Sequence, residues 1–177
     1  MVMERSDQVE FTHFNEQGEA RMVDVTGKMD TYREAVAAGY ISMSEECYQL
    51  AKAGTNKKGD ILGVARIAGI MAMKKTAELI PLCHNIPISK SEIQFEYDDA
   101  NHRIKAMGTV RTCDKTGVEM EAMTGVQIAL LTIYDMCKAV DKFMIIHDVC
   151  LVKKSGGKSG LLVNPNGNLE MNSEHKS

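Results

Sequence analysis

Glu92-Ile93-Gln94-Phe95-Glu96-Tyr97, residues 92–97, alternates polar with apolar side chains and reads as a half-buried strand. Asp98 to His102 is a turn. Beyond it Ile104, Ala106, Gly108 and Val110 alternate with positions such as Lys105 and Thr109, so the two runs form a hairpin. Such alternation belongs to an antiparallel sheet with one face covered. On either side lie long apolar segments of helical period, Ile61 to Leu79 and Val118 to Val140. A last strand runs from Phe143 to Val152. The fold class that follows is α+β, an antiparallel sheet of about four strands with helices packed on one face.

The remaining elements are weaker. Ala20 to Val25 reads as a short strand. Asp30 caps a helix through about Ala38 that Gly39 ends, and Tyr40 to Met43 is strand-like. Ser44 caps a helix with Glu45 and Glu46 in its first turn, where acids suit the helix dipole. Residues 1–160 are expected to form one domain, and 161–177, which include Gly, Ser and Asn, a flexible tail.

The chain has 177 residues, 44% hydrophobic and 25% charged, with a net charge of −3. That composition fits a soluble globular protein and argues against disorder. No apolar run approaches the ~18 residues of a membrane span, and the first ten residues lack the apolar core of a signal peptide. A cytoplasmic location without membrane attachment is expected. The mild acidity and 5% aromatic content disfavour a nucleic-acid partner. The five cysteines are odd in number and contain no Cys-x-x-Cys pair, which points to reduced thiols rather than a zinc ribbon.

Several polar residues are out of keeping with their surroundings. Asp135 and Lys138 lie three apart on a helix apolar on nearly all sides, which predicts a charged pair that is buried or facing a wet cavity. Such a pair reads equally as a structural ion pair or as an acid/base pair. Thr116 with Glu119 matches a capping box; if the chain is still extended there, Glu119 and Glu121 instead share a face. Cys83-His84 follows a buried helix, and His84 is better read as an acid/base group than as a metal ligand. Two basic loops hold Lys57-Lys58 and Lys153-Lys154-Ser155-Gly156-Gly157-Lys158-Ser159-Gly160. The second is not a P-loop, because Val152 stands where that motif needs Gly. It reads equally as a solvated loop or as a Gly-rich cradle for phosphate.

Lys58-Gly59-Asp60, Ala65-Arg66-Ile67-Ala68-Gly69-Ile70, Ile80-Pro81-Leu82-Cys83-His84, Lys115-Thr116-Gly117-Val118-Glu119-Met120-Glu121-Ala122, Leu131 to Val140 and Lys154 to Gly160 occur in that order. With Met22-Val23-Asp24-Val25, they resemble the molybdenum cofactor biosynthesis protein C family, the cyclic pyranopterin monophosphate synthases. The resemblance runs from about Phe11 to Gly160. It implies a ferredoxin-like fold and a homohexamer, a trimer of dimers with sites between subunits. It also implies a lyase that takes a cyclic dihydro-GTP intermediate, made by a radical GTP cyclase, to a pyranopterin with a cyclic phosphate, releasing pyrophosphate.

In that resemblance Asp135 and Lys138 match the catalytic acid/base pair, and Lys58, His84, Glu119 and Lys154 match further catalytic positions. Leu82, Cys83, His84, Met120 and Glu121 match substrate contacts, and Arg33 and Lys158 are additional cationic candidates. No tightly bound cofactor is expected, though a divalent metal such as magnesium could assist the pyrophosphate. The chemistry suits these residue types: ring opening and closure need several proton transfers, and expelling pyrophosphate needs cations around a triphosphate. Two departures stand out, Asn85 where the family usually has Pro, and His147-Asp148 at a site that is commonly Gly. Two other readings compete, a non-catalytic nucleotide-binding module and an oligomer whose Asp135–Lys138 pair sets subunit register.

Overall fold

The computed structural model describes residues 13–15, 17–54 and 60–167. In chain order its elements are β1 (Thr31–Ser42), α1 (Glu45–Lys52), α2 (Ile61–Met73), α3 (Thr76–Leu79), β2 (Ile88–Asp98), β3 (Arg103–Asp114), α4 (Glu119–Cys137), β4 (Ile145–Ser155) and β5 (Leu162–Val163). The strands form one antiparallel sheet in the order β2-β3-β1-β4-β5. α4 packs on β1, β3 and β4, and α2 packs on α4 and β2. The β-α-β-β-α-β succession of the long elements is the ferredoxin-like pattern. The sheet has five strands rather than about four, because two residues after Gly160 add an edge.

The hairpin and the two long helices fall where their periodicity puts them. The main correction is at β1. Thr31 to Ala38, expected to be a helix, is the central strand. Alanine has the strongest helix propensity, but here tertiary packing overrides it. Along β1, Ala35, Ala37 and Ile41 face the helices within the main core, while Val36 and Ala38 join Val152 in a small cluster on the other face. Where α4 lies close on the strand, there is room for little more than methyl groups. At Gly39 a Cβ would lie 2.7 Å from Val149 Cγ2 and 3.1 Å from Leu130 Cδ1.

Smaller differences have local causes. Ala20 to Val25 forms no strand, only a single bridge between Phe14 and Ala20. The helix from Ile61 ends at Met73 instead of Leu79. Asp60, read as part of a loop, caps it by accepting from the Gly63 N–H at 2.8 Å. Past Met73 the buried Thr76 hydroxyl donates to the Ala72 and Met73 carbonyls, two of the acceptors a helix end leaves open. Ser44 caps α1 as expected, its Oγ accepting from Cys47 N–H. The segment expected to be loose from Leu161 onward is tied to β4: Leu162 pairs with Lys154, and Asn164 donates its backbone N–H to Val152 O at 2.8 Å.

α2 and α4 cross at glycines. A Cβ on Gly69 would sit 2.8 Å from the Gly125 carbonyl oxygen, which is backbone and cannot turn aside. Gly69→Ala is therefore expected to destabilise the fold by about 1–3 kcal/mol through overpacking. Urea unfolding should show a lower midpoint at unchanged slope. Gly27→Ala, with nothing within 4 Å of the added carbon, serves as the neutral control.

Candidate active site

The sequence-selected residues separate into two groups at opposite ends of α4. The first surrounds its N-terminus. A cavity of about 320 Å³ opens there, lined by Leu82, Cys83 and His84 from the loop after α3 and by Glu119, Met120 and Glu121 from the first turn of α4. The expected capping box does not form: Val118 precedes the helix, with no side-chain cap hydrogen bond. Glu119 instead accepts from Lys154 Nζ at 2.6 Å. Lys154 reaches it from β4, where its Cα pairs with Ala35 on the helix side of the sheet.

Glu119 and Glu121 both enter the cavity, though from a helical turn rather than an extended segment. Their environments differ. Glu119 has an ammonium partner. Glu121 is only 3% exposed, and its Oε2 has no hydrogen-bond partner among the described residues. Burial pushes the Glu121 carboxyl up to about 7, with the nearby Glu119 charge adding to the effect. Two neighbouring carboxyls thus have opposite dispositions, one paired with a lysine and one able to hold a proton near neutrality. Burial also raises the Cys83 thiol, with Glu121 contributing, so Cys83 is disposed as a neutral contact rather than a thiolate nucleophile.

His84 Nε2 lies 2.8 Å from the Val23 carbonyl oxygen. A carbonyl only accepts, so Nε2 carries the hydrogen and Nδ1 is the basic nitrogen of the neutral ring. Val23, Val25 and Lys28 come from the segment before β1, which closes one side of the cavity together with His13. His13 and Lys28 were not among the residues singled out from the sequence. They lie in an irregular stretch, where neither periodicity nor spacing marks them. His13 is held by the Arg21 N–H, which donates to its carbonyl at 2.8 Å, and Lys28 follows an Asx turn in which Asp24 accepts from Thr26 N–H at 2.8 Å.

Arg33 is held at the end of β1 by two carbonyls, donating from Nε to Asp114 O at 2.9 Å and from Nη2 to Lys115 O at 3.0 Å. The Gly156-Gly157 turn closes onto it. Gly156 has φ +97°, and a Cβ there would lie 2.1 Å from Tyr32 O, so only glycine fits. This turn carries Lys158 into an exposed position, and no helix follows it, in keeping with the rejection of a P-loop. Lys58 lies outside the described residues.

The second group is the Asp135–Lys138 pair, joined at 2.6 Å near the C-terminus of α4. The expectation of burial is corrected: the Lys138 and Asp135 side chains are 55% and 66% exposed. Met120, Gln127, Leu131, Asp135 and Lys138 form one exposed stripe along α4, and the apolar surround is interrupted there. Sixteen residues separate Glu119 from Asp135, about 24 Å along a helix. Within one chain the pair does not meet the N-terminal cluster. The same outer surface of the helix layer exposes Val64, Ile67 and Met71 of α2 beside Leu131 of α4.

The raised Glu121 carboxyl has a consequence for stability. The folded state holds its proton up to about pH 7, whereas the unfolded chain releases it near 4.5. This contribution is fully present below about pH 4.5 and is lost as pH rises to about 7. Glu121→Gln should remove that loss, on the order of 3 kcal/mol at most. The check is urea unfolding at pH 5 and pH 8, where the difference between variant and parent should favour the variant more at pH 8.

Among the described residues, no helix is long and apolar enough to cross a membrane, and no group of three His, Cys, Asp or Glu side chains is arranged to hold a metal. A family model described as the MoaC family matches residues 22–157. A cyclic pyranopterin monophosphate synthase of Clostridium acetobutylicum is 55% identical over 150 residues, covering 85% of this chain and 93% of that protein. Proteins of the same name from Clostridium perfringens strain 13 and Thermoanaerobacter pseudethanolicus are 58% and 56% identical, over 84% and 85% of this chain and 94% and 95% of their own. With the Leu82–His84 and Glu119–Glu121 motifs set around one cavity of a ferredoxin-like fold, and with relatives more than half identical over nearly their whole length, this chain belongs to the MoaC family.

Proposed function

We propose that this protein is a cyclic pyranopterin monophosphate synthase. It acts as a lyase on a cyclic dihydro-GTP intermediate, forming a pyranopterin with a cyclic phosphate and releasing pyrophosphate, for molybdenum cofactor biosynthesis. The observation that carries the reading is the 55–58% identity to synthases over most of the chain, with every residue lining the N-terminal cavity from Val23 onward inside the span that the family model matches. In this scheme the substrate arrives from a radical GTP cyclase acting upstream, in the cytoplasm. The catalytic unit is proposed to run past Gly160 to take in β5, which pairs with β4.

The cavity suits the ring chemistry. Glu121 can donate a proton near neutrality, His84 Nδ1 can take one, and Cys83 and Met120 give the ring apolar surface. Lys154, Arg33 and Lys158, with Lys58, are the cations proposed to face the triphosphate, where charge grows on the departing pyrophosphate. These are not metal ligands. A magnesium ion, if used, is proposed to be held by the phosphate oxygens it enters with, and its chemistry would be to offset their charge.

Asp135 and Lys138 complete the site from a neighbouring subunit in the proposed homohexamer. Two features support this. The pair lies too far along α4 to reach the cavity of its own chain, and it borders an apolar helix surface of the kind a second copy covers.

Purified protein supplied with the cyclase product should yield pyranopterin and pyrophosphate in equal amounts by mass analysis; recovery of unchanged precursor would refute the assignment. Lys138→Ala is expected to abolish turnover while leaving precursor binding largely intact, read by comparing product formation with equilibrium binding. Chains carrying Lys138→Ala and chains carrying His84→Ala, each inactive, should regain part of the activity when co-expressed. Sites shared between subunits then reunite two intact halves. Mixed assemblies that stay inactive would place both groups in one subunit.

A further inference from the structure

On the sheet face away from the helices, three side chains are linked in series. Ser42, at the end of β1, has its Oγ 2.7 Å from His147 Nε2. His147 Nδ1 lies 3.0 Å from Asp148 Oδ2. An ionised carboxylate has only acceptors, so Nδ1 must carry the imidazole hydrogen. Nε2 of the neutral ring is then a lone pair, and the Ser42 hydroxyl is the donor to it. The order of atoms, hydroxyl to Nε2 and Nδ1–H to carboxylate, is that of a serine nucleophile activated by a histidine that an aspartate orients.

The backbone sets this arrangement up. Between the pairs Ala38–Cys150 and Tyr40–His147 the register of β4 shifts, forming a bulge. Within it Asp148 has φ +53°, a left-handed conformation uncommon outside glycine. His147 is fixed by stacking on Tyr40, ring centroids 5.8 Å apart and planes 16° from parallel. Arg103 covers the same tyrosine at 4.3 Å and is anchored by Asp98 at 2.6 Å. In register, Arg103 is the Cα partner of Ser42 on the neighbouring strand. A cavity of about 400 Å³ on this face borders the three groups through Asp148, with Tyr40 and Arg103 also in its walls and Ser42 and His147 outside its lining. None of these residues belongs to the N-terminal cavity or to the Asp135–Lys138 pair.

We propose that Ser42, His147 and Asp148 form a second catalytic site, one that hydrolyses short acyl esters through an acyl-serine. Ser42 Oγ attacks the ester carbonyl carbon while its proton passes to His147 Nε2. The carbonyl oxygen becomes an oxyanion beside the Arg103 guanidinium. The carbon–oxygen bond to the alcohol breaks, and His147 returns the proton to the leaving oxygen. Water then attacks the acyl-serine with His147 again as base, releasing the carboxylic acid and restoring the hydroxyl. Asp148 holds the imidazole and stays ionised throughout.

The test is covalent. The full chain is treated with a fluorophosphonate probe and digested, and the adduct is located by mass spectrometry. The expected result is phosphonylation of Ser42, with its rate reduced at least about 100-fold in His147→Asn. Nitrophenyl acetate hydrolysis should fall in parallel in Ser42→Ala, while pyranopterin synthesis by that variant is unchanged. Absence of an adduct on Ser42, an adduct formed equally fast in His147→Asn, or ester hydrolysis undiminished in Ser42→Ala would overturn the proposal. The three groups would then be a hydrogen-bonded brace of the bulge. The adduct is mapped in the parent protein, so the result does not depend on a variant folding.

Discussion

The structure depends on how closely the helix layer approaches the sheet. α4 lies on β1 where the strand offers Ala35, Ala37 and Gly39, and it crosses α2 where the two helices offer Gly69 and Gly125. Side chains of ordinary size at these points would lift the helix off the sheet and off its neighbour. Close approach puts the first turn of α4 level with the end of β4, within reach of the Lys154 ammonium. A few tenths of an ångström at a glycine therefore bear on a lysine–carboxylate contact two layers away.

The N-terminal cavity uses that closeness to set apart two carboxyl groups two residues apart in the chain. Glu119 faces a cation and Glu121 faces none among the described residues, so a single helical turn supplies both a charged and a protonatable acid. Opposite dispositions of this kind suit one cavity to both taking and giving protons. The pair at the far end of α4 has a different character, being water-exposed and set in an apolar surround. A single chain thus presents a formed cavity at one end of α4 and an exposed charge pair at the other.

Much of this was legible from the sequence. The alternation at residues 92–110 and the long apolar segments give the sheet and its helices, and the motifs around Cys83-His84 and Glu119-Met120-Glu121 give the cavity. The failures share a cause. β1 is alanine-rich where α4 lies close upon it, yet alanine by itself speaks for a helix. The Asp135–Lys138 pair was expected to be buried or to face a wet cavity because apolar neighbours around a helix do not by themselves distinguish core from surface. His13 and Lys28 come from irregular backbone, a feature with no period to detect. Ser42, His147 and Asp148 are brought together by a register shift between strands far apart in the chain.

β5 gives the segment beyond the family-matched region a structural purpose. Its two residues leave the Lys154 backbone paired on both flanks, to Ala35 on one side and Leu162 on the other. A chain trimmed at Gly160 on grounds of homology would strip one flank and let water compete for the exposed amides. The rim of the sheet would fray first at the lysine that answers Glu119, so the apparent appendage acts as a splint for that end of β4.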